Sequence, residues 1–155
     1  MLAILRPDSW NWLLTFHLLA AAVLVTASMI VTLASLLAMR SAEAGRVTVL
    51  RGLAFRTNLI GVLPGYIATI VLGHALAEKE YGEGEEPDWL GPSIGITELG
   101  GVLGGIVLSV LLWFVVRKAR KGELRGALAA ITSYIAPLIL VSLLVVLFLM
   151  TAKPE

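Results

Sequence analysis

The sequence predicts an all-α integral membrane protein, a bundle of four transmembrane helices, and three observations predict it. Trp10–Met39 runs for thirty residues without an Asp, Glu, Lys or Arg. At about 1.5 Å of rise per residue, around 20 apolar residues cross a hydrocarbon core roughly 30 Å thick. Three further apolar stretches follow, at about 55–77, 92–116 and 124–150, and 58% of the 155 residues are apolar with a mean hydropathy of +0.90. Soluble domains are less apolar than this. The charges are also sorted: nine of the twelve Lys and Arg fall in two short stretches, 40–56 and 117–125. The chain reads as a single domain over residues 1–155.

Met1–Ser9 is a short lead in which Ser9 or Asp8 is placed to cap the first helix. Trp10 and Trp12 suit the aromatic belt of a membrane surface. The lead carries one Arg and the apolar stretch exceeds an h-region, so no cleaved signal peptide is expected. Along the first helix Ala20, Ala21, Ala27, Ser28, Ala34, Ser35 and Ala38 recur at helical spacing. Small residues let helices approach closely in lipid. His17 shares that face and is expected to point into protein.

Arg40–Arg56 reads as a polar connection, with Arg46 and Arg51 inside it. The second helix follows, kinked at Pro64-Gly65. His74 lies near its far end, although at 100° per residue it points away from the Gly61, Gly65 and Thr69 face. Residues 78–91 form an acidic loop with six carboxylates: Glu78, Glu80, Glu83, Glu85, Glu86 and Asp88. The loop lacks EF-hand spacing and reads as solvated. Trp89 returns the chain to the surface. The third helix holds Gly100, Gly101, Gly104 and Gly105, two overlapping GxxxG patterns and hence a close-packing surface. Glu98 lies one turn before it. A second basic connection, 117–125, leads into the fourth helix, where Pro137 predicts a kink.

The positive-inside rule puts both basic connections in the cytoplasm and both termini with the acidic loop outside, in a bacterial inner membrane. Leu50-Arg51-Gly52 before Pro64 and Leu124-Arg125-Gly126 before Pro137 form a faint repeat. It suits two parallel helical hairpins related by an axis along the membrane normal; the abundance of Leu and Gly produces the same pattern by chance.

This topology brings His17, His74 and Glu98 to one depth near the outer face. Ionisable groups inside spans are costly and point to function. Two imidazoles on adjacent helices can hold haem b iron from opposite faces. Two imidazoles and a carboxylate also suit a transition metal. Glu98 can alternatively carry a proton or cation, with the acidic loop as an electrostatic funnel. Structural roles compete with each of these: His17 can bond a carbonyl across a helix contact, and Glu98 sits where the helix dipole favours an anion. No soluble catalytic motif is present, neither P-loop, GxSxG, HExxH nor dinucleotide fingerprint. The absence of cysteine excludes disulfides and thiolate metal sites. The basic stretches flank the membrane, where anionic lipid explains them, and nucleic acid is not implied.

Thr15-Phe16-His17-Leu18-Leu19-Ala20-Ala21-Ala22 resembles the opening of a group of small bacterial inner-membrane proteins. The group includes four-helix proteins of unknown function, the copper-resistance D type, and the four-helix haem-binding protoporphyrinogen oxidase type. The resemblance covers about ten residues and implies a four-helix bundle with, in some members, haem or copper at the position of His17. This chain differs in having no Lys within helix three and a second His only at His74.

The leading expectation is therefore a small inner-membrane protein binding haem or a metal through His17, with His74, for electron transfer or tetrapyrrole and metal handling. One alternative is a non-catalytic subunit that oligomerises or joins a larger membrane complex through the glycine face of helix three. The other is a proton- or cation-coupled transporter using Glu98.

Overall fold

A computed structural model describes residues 12–81 and 90–152. Among them the chain is helical throughout, with no strand. Helix α1 (Trp12–Arg40) is the first span. The second is a continuous rod of α2 (Ala44–Thr57), a π-helical segment (Asn58–Val62) and α3 (Leu63–Tyr81). The third joins α4 (Leu90–Gly100), a longer π segment (Gly101–Val107) and α5 (Leu108–Arg120), and α6 (Ala127–Ala152) is the fourth. All four are long and apolar enough to cross a membrane, which marks a multi-pass membrane protein. The expected cap at Asp8 or Ser9, Trp10, Trp89 and the carboxylates Glu83, Glu85, Glu86 and Asp88 lie outside the described residues, whereas Glu78 and Glu80, expected in the acidic loop, belong to α3, and Leu90 already begins the third span.

Neighbours in sequence are neighbours in space. The first span packs on the second and fourth, and the third fills the opposite corner against the same two. One end of the bundle carries the ends of the spans nearest both termini, here the terminal end; the other, the basic end, carries the two Arg/Lys-rich segments. Leu24, Val31, Val62, Tyr66, Leu108 and Ile139 form the centre of the core. Leu18, Leu19, Val23, Val102, Ile106 and Leu138 face outward, as lipid-facing side chains do.

The second span begins earlier than expected. Its connection to α1 is only residues 41–43, and the stretch read as a loop is helical from Ala44. Val47, Arg51, Ala54 and Asn58 are buried at helical spacing, so burial of one stripe outweighs the arginines, whose long stems carry charge toward the helix end. Arg46, Arg51 and Arg56 are thus helical residues rather than members of a connection, and Arg51 is buried. The fourth span begins later than expected, at Ala127, because the chain first turns at Gly122 (φ 87°). The Glu123 N–H donates to the Lys118 carbonyl and the Gly122 N–H to that of Ala119, both at 3.0 Å. This is the Schellman arrangement, in which a left-handed residue favours glycine.

Pro64 and Pro137 are accommodated differently. Pro64 follows directly on the π segment, whose wider turn bonds the Leu63 N–H to the Asn58 carbonyl. Extra room there offsets the proline's clash with the preceding turn. Pro137 sits within α6 with no such segment. The two hairpins therefore do not match at their prolines.

Gly100, Gly101, Gly104 and Gly105 of the third span are packing residues inside the chain. A Cβ at Gly100 would lie 2.8 Å from the Tyr66 hydroxyl, one at Gly104 3.0 Å from Ile139, and one at Gly105 2.9 Å from Leu63. The face expected to meet another protein is filled by this chain's own second and fourth spans.

Candidate functional site

At the terminal end the first span presents His17 to the second, at the level of Gly73. A Cβ on Gly73 would sit 3.1 Å from His17 Cε1, so glycine makes room for the imidazole. The ring faces the Thr69 main chain, while its Nδ1 is buried and has no hydrogen-bond partner among the described residues. His17 faces protein, as its small-residue face implied.

His74 turns to the same place. The π segment adds residues to the second span's turn and shifts the phase of everything after it, which a uniform 100° per residue does not anticipate. His74 Nε2 lies 2.9 Å from Glu98 Oε1 on the third span. The two side chains are 51% and 52% exposed, so the pair stands at a mouth rather than in the core.

His17, His74 and Glu98 line one cavity, together with Thr69, Thr97 and apolar side chains from all four spans. The sequence-derived trio is thus brought together, with His74 and Glu98 in contact and His17 across the space. The cavity measures about 70 Å³, room for a handful of waters at roughly 10–15 Å³ each. Larger organic ligands occupy pockets of about 300 Å³ or more, so holding a haem here would require the spans to part. Among the described residues no three His, Asp or Glu side chains are grouped as a metal ion requires. The donor chemistry suits a metal, and the three side chains would have to draw closer together to hold one.

Polar residues to which the sequence reading gave no functional role complete the picture. Asn58 is fully buried and donates from Nδ2 to the Gly104 carbonyl (3.1 Å) and to Ser109 Oγ (2.8 Å), joining the two π segments. Ser28, Thr32, Ser35, Tyr66 and Thr69 are also buried, each with a hydroxyl lacking a partner among the described residues. The available signal was small: isolated polar residues inside apolar runs. No known protein family, curated protein or solved structure matches the chain.

Proposed function

We propose that this protein is a proton- or cation-coupled inner-membrane transporter, with both termini outside, whose exchange site is the cavity of His17, His74 and Glu98. One observation carries the reading: an imidazole and a carboxylate from different spans meet at 2.9 Å at the mouth of a cavity holding a second imidazole. Such a pair is within reach for proton transfer. Its half exposure leaves it accessible at the surface of the bundle, and in this reading His17 is the next acceptor inward.

The interior supports the same reading. The first and second spans run antiparallel, with Gly73 at His17, Gly65 at Leu24 and Gly61 at Ala27. Descending from the cavity, Thr69, Tyr66, Ser28, Thr32 with Asn58, and Ser35 follow one another about a turn apart, each with a buried polar atom lacking a partner among the described residues. Buried polar groups ordinarily have partners, and a path for protons along them would require this packed stretch to open and admit water. In liposomes with an entrapped pH-reporting dye, the protein is expected to carry a flux that Glu98→Gln abolishes while helical content stays constant. Undiminished flux in that variant rejects the reading.

A second reading, a transition-metal or haem protein, draws on the orphaned Nδ1 of His17. It predicts stoichiometric metal or a Soret band, in protein purified from its native membrane, that His17→Ala removes. A clear spectrum without metal ends it.

A further inference from the structure

At the opposite end, a pocket of about 280 Å³ is lined by Arg51, Lys118, Glu123, Arg125 and the first turn of α6. Arg51 is the unusual member. It is only 5% exposed, and its Nη2 donates to the main-chain carbonyl of Leu124. Among the described residues no carboxylate pairs with it. Glu123, the one acid lining the pocket, is 3.4 Å from Lys118. A guanidinium offers five N–H donors and does not shed its charge. A buried charge without a counter-charge is costly, and native proteins pair such groups.

The surroundings add positive potential and no second acid. Three cations face one carboxylate, and the pocket floor is the start of α6, where main-chain N–H groups lack helical acceptors and the dipole favours an anion. Among the described residues nothing supplies the missing counter-charge. We infer that this pocket binds a phosphate-bearing anion, with Arg51 as the buried anchor and Lys118 and Arg125 at the rim. Guanidinium matches phosphate oxygens in a forked, two-bond geometry. The pocket lies where the second, third and fourth spans end among basic residues, the place in which headgroups of anionic lipids meet a membrane protein. A free phosphate compound carries the same chemistry.

The test uses the full chain in phosphatidylcholine nanodiscs, with thermal unfolding followed during titration by phosphatidylglycerol or by inorganic phosphate. A rise in melting temperature with either sustains the proposal: response to the lipid alone makes the occupant a headgroup, and response to phosphate makes it a soluble compound. Arg51→Gln is expected to weaken the response about tenfold or more. Because a buried variant can fail to fold, Lys118→Ala combined with Arg125→Ala is the companion, and it is expected to weaken binding with the fold kept. No response to either probe, or a response in the double variant equal to the wild type's, overturns the proposal.

Discussion

The middle of the bundle and its terminal end both place polar groups between the second and third spans, and they use them in opposite ways. In the middle, Asn58 is fully buried and spends its amide N–H groups on Gly104 and Ser109, beside glycines that let the Tyr66 ring approach the backbone. At the terminal end, His74 and Glu98 meet at a similar distance but stand half exposed over a cavity. The first contact has fixed partners and no room. The second has a titratable partner and room beside it. A polar contact in lipid serves structure when its surroundings leave it one arrangement, and serves exchange when they leave it several.

Four substitutions sharpen or break this contrast, judged by reversible unfolding in detergent. Gly65→Val drives a side chain into the Leu24 backbone, 3.2 Å from the new Cβ, and is expected to cost about 3 kcal/mol or more. Asn58→Leu removes the clamp between the π segments and is expected to cost about 1–3 kcal/mol; a neutral result would erase the distinction between the regions. Glu98→Gln is expected to cost under about 1 kcal/mol, since solvent screens a half-exposed pair, while eliminating proton flux. A large loss of stability there would make the terminal pair structural after all. Arg117→Gln removes a guanidinium 4.8 Å from the Trp113 ring centroid and is expected to cost about 0.5 kcal/mol, the smallest of the four.

Much of this was legible because the membrane restricts what a chain can do. A backbone in hydrocarbon must bond to itself, so long apolar runs read directly as helices. His17 was placed correctly on a protein-facing surface because Ala20 and Ala21 lie on that side one turn later. Arg46, Arg51 and Arg56 read as a connection when charge outweighs period, yet Val47, Arg51 and Ala54 carry the helical stripe. The glycines of the third span were recognised as a close-packing surface, but nothing local says whose side chains fill it.

The sequence by itself determined the number of spans, the depth of His17, His74 and Glu98, and the sorting of charge between the two ends, since these follow from hydropathy and rise per residue. Only the tertiary structure decided that His74 turns to Glu98, that Tyr66 occupies the glycine face, and that Arg51 is buried without a counter-charge among the described residues. Those outcomes depend on helix phase, which two π segments reset, and on contacts between residues far apart in the chain. Neither is encoded in the spacing of any one helix.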